Sequence, residues 1–213
     1  MKKILALILA ALMLVSVVAC TRDNNEDESK DDVQNETPDN GTEEPTEDEG
    51  SAIPEVSVTP LDALTTIWNA LPEDQRPFAM GGSYDAMVDG MPGEFNLEME
   101  EAALTLDSMT HYPEAQFDKL TSVATIMHAM NANTFTGAAY SFADAETTTA
   151  MVDVIKEAVA NTQWMCGFPE KLVIVNVSDT CLIVMFGAGE IIDPLANNAV
   201  ELLSGTVVVD QGL

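Results

Sequence analysis

The sequence predicts an α+β domain in which helices cover an apolar sheet, and three observations carry that prediction. Residues 171–177 and 180–186 are near-continuous apolar, β-branched runs separated by the short Ser178-Asp179 turn, the pattern of a hairpin at the centre of a covered sheet. Residues 145–161 and 191–203 carry apolar side chains at helical spacing. One strand-like segment precedes the first of these helices and another follows the second, so the order from Thr134 onward is β-α-β-β-α-β.

Taken along the chain, residues 61–71 alternate apolar and polar positions with a helical period and end at Pro72. Gly81, Gly82, Gly90, Pro92 and Gly93 punctuate a loop-rich region around residues 84–88. Residues 102–106 read as a strand, and residues 115–132 as containing a helix that runs into Met127-His128-Ala129-Met130. Residues 134–142 set Phe135, Tyr140 and Phe142 among small residues, which suits a strand. Asp144 is placed to cap a helix reaching Asn161, with Val152, Ile155 and Val159 on one face. After the hairpin, Gly187 and Gly189 break the strand pattern. The helix over residues 191–203 accepts Pro194 in its first turn, Gly205 stops it, and residues 206–210 form a last strand. This order is that of a ferredoxin-like βαββαβ sandwich, with extra N-terminal helices and an edge strand added.

The globular domain is preceded by two segments of different character. Lys2 and Lys3, an apolar stretch over residues 4–15, and small residues before Cys20 have the order of a signal peptide, and they resemble the lipobox of bacterial lipoproteins. The expected boundaries are 1–20 for the signal, 21–53 for a disordered linker and 54–213 for a single globular domain. Residues 21–53 hold 13 acidic residues against Arg22 and Lys30, and no aromatic. Such a segment buries too little apolar surface to offset its ordering entropy. As a coil it spans roughly 30–35 Å, and self-repulsion extends it further. A lipidated Cys20 would then anchor the chain to the outer face of a cell membrane.

Charge excludes two partner classes. Residues 54–213 contain 23 Asp and Glu against Arg76, Lys119, Lys156 and Lys171. Nucleic-acid binding and docking on an anionic bilayer both need clustered cations, which the sequence lacks. The expected partner is a basic or apolar protein or peptide.

Three sets of residues invite a chemical reading. Trp164-Met165-Cys166-Gly167-Phe168-Pro169 has the residue types of a thioredoxin-like redox loop, which makes Cys166 a candidate thiol. A redox pair needs Cys-x-x-Cys at a strand-to-helix junction, and here Pro169 stands in the second position, between a helix and a strand. Cys181 lies near the hairpin turn, on the order of 15–20 Å from Cys166 at about 3.4 Å per strand residue. That is beyond disulfide reach. Trp164, Phe168 and Pro169 are therefore read as a packed or interacting corner. Met127 and Met130, three apart in the predicted helix, present thioethers that suit Cu(I), but His128 projects about 100° away and a Met-rich core helix explains the same letters. Acidic groups such as Glu98, Glu100 and Glu101, or Asp85 and Asp89, read as solvated faces. Neither metal, cofactor nor catalytic residue is assigned, and the chain is read as non-enzymatic.

The lipobox, the acidic spacer, residues 127–140 and residues 163–174 resemble small surface lipoproteins of clostridial-type gut bacteria labelled bacteriocin transport accessory protein. The resemblance covers the signal and most of residues 55–210. It implies a Gram-positive cell surface and a transport-accessory role, and it brings no catalytic residues. The function expected from the sequence is a membrane-tethered, extracytoplasmic protein- or peptide-binding module. A thiol-dependent redox accessory centred on Cys166 and a small-molecule or metal-binding lipoprotein remain as alternatives.

Overall fold

The structure is a computed structural model that describes residues 58–165 and 167–213. The expected signal over residues 1–20, the expected linker over residues 21–53, Cys20 and Cys166 lie outside the described residues. Four α-helices and eight strands follow in the order α1 (Pro60–Asn69), β1 (Ala79–Gly81), β2 (Val88–Asp89), β3 (Gly93–Glu94), α2 (Ala102–Thr110), β4 (Leu120–His128), β5 (Phe135–Phe142), α3 (Ala145–Ala160), β6 (Lys171–Ser178), β7 (Cys181–Gly187), α4 (Gly189–Leu203) and β8 (Thr206–Gly212) among the described residues.

Local chemistry explains the helix ends. The Asp62 N–H donates to the Thr59 hydroxyl at 3.1 Å, and Pro60 opens α1 where no N–H is needed. At the other end of α1 the Arg76 guanidinium donates to the Asn69 and Leu71 carbonyls, which the helix leaves unpartnered. Asp144 caps α3 by accepting the Thr147 N–H at 2.7 Å, and that bond holds its carboxyl below its ordinary pKa. The residue before α4 is Ala188, whose side chain offers no cap; the Glu170 carboxylate accepts the Gly189 N–H at 2.8 Å instead. Helix α4 begins at Gly189, so Pro194 falls in the second turn rather than the first. The helix ends at Ser204, which takes the left-handed conformation, and the Gly205 N–H donates to the Ala199 carbonyl.

Two expected elements are replaced. Residues 102–106 belong to helix α2, not a strand: Ala102, Leu106, Met109 and Thr110 are buried at a helical spacing that a five-residue apolar window cannot display. Residues 115–132 form a 3-10 helix over Glu114–Lys119 and then strand β4, not an α-helix. The five residues from Val123 to Met127 are all buried, as a strand covered on both faces requires, and this outweighs the helix propensity of Ala and Met. The glycine-rich stretch is a set of three short strands, with β1 and β3 sharing one edge of β4.

All strand pairings are antiparallel. The sheet of the described residues has the order β2-β1-β4-β5-β7-β6-β8, with β3 also on β4. Side-chain alternation divides the core. Val173, Val175, Ile183 and Met185 face α1 and α4, whereas Leu172, Ile174, Leu182, Val184 and Phe186 face α2 and α3. The α+β class and the βαββαβ order are present, but the strand order is not ferredoxin-like. In that arrangement the last strand lies beside the first. Here β4 pairs with β5 and occupies that edge, and β8 lies beside β6 at the other side. The consequence is geometric. The crossovers β5-α3-β6 and β7-α4-β8 move in the same lateral direction but leave from oppositely directed strands. Crossovers of one hand must then pass over opposite faces, where α3 and α4 lie.

Candidate functional site

One end of the sheet gathers the residues that the sequence singles out. The pairings Ala79↔His128, Met127↔Thr136, Phe135↔Gly187 and Lys171↔Gly212 place the starts of β1, β5 and β6 and the ends of β4, β7 and β8 together. Two loops emerge there: residues 129–134, and residues 161–170, which contain the tryptophan–methionine–cysteine segment. They are tied to each other and to the sheet. The Asn133 side-chain amide donates to the Gly167 carbonyl at 3.0 Å. The Ala188 N–H donates to the Thr134 carbonyl, and Glu170 bridges the Gly187 carbonyl and the Leu213 N–H through its main chain.

On this scaffold the apolar side chains point outward. Met165 is 91% exposed, Met130 84%, Phe168 77% and Phe78, whose carbonyl accepts the Ala129 N–H, 60%. Between Asn131, Asn133, Phe168 and Glu170 lies a shallow cleft of about 130 Å³. Long thioethers and a phenyl ring held on ordered loops form an adaptable contact surface.

Beneath the loop the packing is aromatic. Trp164 is half-buried, edge-on to His111 at 4.8 Å between ring centroids and 5.5 Å from Phe186. Burial lowers the His111 pKa, and the nearby Asp107 carboxylate opposes that shift. The imidazole therefore packs in its neutral form at neutral pH. Pro169 is buried as well. The expected corner of Trp164, Phe168 and Pro169 thus divides: two residues face inward and Phe168 faces solvent.

The metal reading loses its geometric premise. Met127 is buried within β4, whereas Met130 lies beyond the strand, so the two do not share a helical face. The His128 Nδ1 accepts the N–H groups of Met130 and Asn131 at 3.2 and 3.1 Å, which assigns it to forming the turn. Among the described residues no three His, Cys, Asp or Glu side chains converge as a metal site. Asp85 is held below its ordinary pKa by the Ser83 hydroxyl and the Asn96 amide, as a hydrogen-bonded surface carboxylate. Cys181 is buried in β7, and burial pushes its thiol up to about 11. A thiol in that state carries almost no thiolate at neutral pH.

The rim is acidic. Lys171 is held between Asp193 at 2.6 Å and Asp210 at 2.9 Å, and both contacts raise its pKa. Glu170 and Glu190 add two further carboxylates. A larger groove of about 590 Å³ opens at the opposite end of the sheet, beside Pro60, Leu61, Phe95 and Val123. It has no comparably exposed apolar side chain, because Phe95 and Val123 are buried.

Sequence reasoning missed Phe78, Met165 and the outward direction of Phe168. The letters were legible, but the side of the loop they occupy depends on the Asn133–Gly167 contact across 34 residues. No helix among the described residues is long and apolar enough to cross a membrane. No protein-family model, curated protein or solved structure matches the chain.

Proposed function

We propose that this chain is a membrane-tethered extracytoplasmic lipoprotein whose domain is a non-enzymatic protein- or peptide-binding module, with the apolar rim as its contact surface. The observation that carries the reading is the convergence of Phe78, Met130, Met165 and Phe168, all exposed, at one end of the sheet. The loops' own hydrogen bonds hold the main chain in place, so the entropy lost on docking falls mainly on the side chains. The acidic surround favours a cationic partner. The resemblance to lipoproteins labelled bacteriocin transport accessory protein supports a transport-accessory role. Any kinship to ferredoxin-like sheets is proposed for the split β5-α3-β6 unit, with β7 inserted between its strands, and not for the sheet as a whole. The redox alternative gains no support from Cys181, the other cysteine of the domain, which is buried and protonated.

The test is cross-linking on intact cells followed by identification of captured neighbours. Met130→Ser combined with Phe168→Ser is expected to lower capture of a reproducible partner by about tenfold or more, the loss of one or two interface anchors. The thermal midpoint should stay within about 2 °C, because both side chains are exposed. Undiminished capture would remove the rim from the proposal. Cys20→Ala is expected to move the protein from the membrane fraction to the medium, since the acyl chains supply the anchoring. A variant that stays with the membrane would sink the lipid-anchor claim.

A further inference from the structure

A second surface lies along the outer edge of the sheet. Strand β8 has β6 on one side, and among the described residues no other strand pairs with it. The hydrogen-bonding parity of β8 follows from its end. The Leu213 N–H donates to the Glu170 carbonyl, and the pairs Leu172↔Gln211 and Ile174↔Val209 continue that register. Residues 209, 211 and 213 therefore direct their main-chain groups toward β6. By the alternation of an antiparallel ladder, Asp210 and Gly212 direct theirs away from it. Upstream, a register shift opposite Ile174 and Val175 inserts Val208 as an extra residue, and Val207 and Val208 are 42% and 43% exposed. This edge thus combines donors and acceptors that have no partner among the described residues with half-exposed β-branched side chains, the features of a template for strand addition.

The charges select among possible occupants. Asp210 and Asp193 flank Lys171, with Glu170 adjacent in sequence. A second copy of this chain would bring one strongly acidic domain toward another. A segment bearing Lys or Arg gains from the same field. We propose that the outer edge of β8 accepts an extended, cationic segment of a partner protein as an additional strand. The surface is separate from the apolar rim, and the inference does not depend on the rim being a binding site.

The experiment uses full-length protein in nanodiscs and, as the probe, a capped synthetic peptide of eight residues alternating Lys and Val. The probe is expected to slow hydrogen exchange in residues 206–213 specifically. Gly212→Pro removes the outward N–H and fixes φ on an edge strand, where proline is tolerated if its nitrogen faces away from the neighbouring strand, and an added Cβ there has no heavy atom closer than 3.8 Å, so the fold should be kept. It should weaken binding at least tenfold. A peptide N-methylated at alternate residues along its pairing edge should weaken binding similarly while leaving the protein untouched, and a Glu-Val peptide should bind at least tenfold more weakly than Lys-Val. No protection of residues 206–213 at about millimolar probe would overturn the proposal, as would equal binding of the methylated peptide. Dimerisation in sedimentation that is lost with Gly212→Pro would assign the edge to a second copy and overturn the cationic partner. Met130→Ser with Phe168→Ser should leave probe binding unchanged, so the edge and the rim can fail independently.

Discussion

Replacing Trp68 with alanine is expected to lower the stability of the domain by about 3–5 kcal/mol, the range for emptying a buried aromatic site. Trp68 is buried on the face of the sheet covered by α1 and α4, and its ring stacks on Phe135 at 5.8 Å with only 10° between the planes. Leu64, Ile67, Ile126, Met185 and Leu195 surround the same space, and they come from four elements, α1, β4, β7 and α4, that cannot all move inward without breaking the ladder. The indole N–H also donates to the Gly90 carbonyl at 3.0 Å, which holds the turn between β2 and β3 against the core. At a typical domain stability of about 5–15 kcal/mol, this loss leaves a marginal fold. The measurement is chemical denaturation with far-ultraviolet circular dichroism, accompanied by a fall in thermal midpoint of about 10 °C or more. Trp68→Phe keeps most of the ring and loses the hydrogen bond, so it should cost about 1–2 kcal/mol. A Trp68→Ala variant within about 1 kcal/mol of the parent would show that the α1 face contributes little to the fold.

The degree to which this fold is legible in the sequence varies with the range of the interactions involved. The hairpin β6–β7 and helix α3 depend on local signals: a two-residue turn between β-branched runs, and an aspartate cap before an amphipathic stretch. Strand β4 is hidden because Ala and Met set helix formers among its β-branched letters, and its burial on both faces comes from α1 on one side and α2 on the other. Strand order is harder still. Nothing local to residues 206–212 distinguishes pairing with β6 from pairing with β5; the choice follows from β4 already occupying the β5 edge. The candidate site shows the same division. Its residues fall within two segments that the sequence marks, yet their meeting depends on a contact between Asn133 and Gly167. Apolar letters in a loop look the same whether they pack inward, as Trp164 and Pro169 do, or project, as Met165 and Phe168 do.

Gly187→Ala is expected to damage fold and rim together, by about 3 kcal/mol or more, and a comparison with Gly90→Ala separates the two causes. Both glycines have positive φ, 146° at Gly187 and 70° at Gly90. A Cβ at Gly90 would meet nothing within 4 Å, so the cost there is conformational strain alone, roughly 1–2 kcal/mol. A Cβ at Gly187 would lie 2.3 Å from the Thr134 carbonyl oxygen and 2.9 Å from the Phe135 Cα, both main-chain atoms with no rotamer to change. Relief requires β5 or the loop of residues 129–134 to move away from β7. That movement would strain the bond from the Ala188 N–H to Thr134 and carry Met130 and Asn133 with it. Asn133 is the link to the second loop, so Phe168 and Met165 lose their fixed relation to Met130. Partner capture should therefore fall in Gly187→Ala even under conditions where most of the protein remains folded. Gly90→Ala, on a different loop, should lose a little stability and keep capture per folded molecule unchanged. Hydrogen exchange would locate the difference, with residues 129–135 and 187–189 opening first in Gly187→Ala. Equal stability loss in the two variants would mean that the close approach of β7 to the loop before β5 does not constrain the rim.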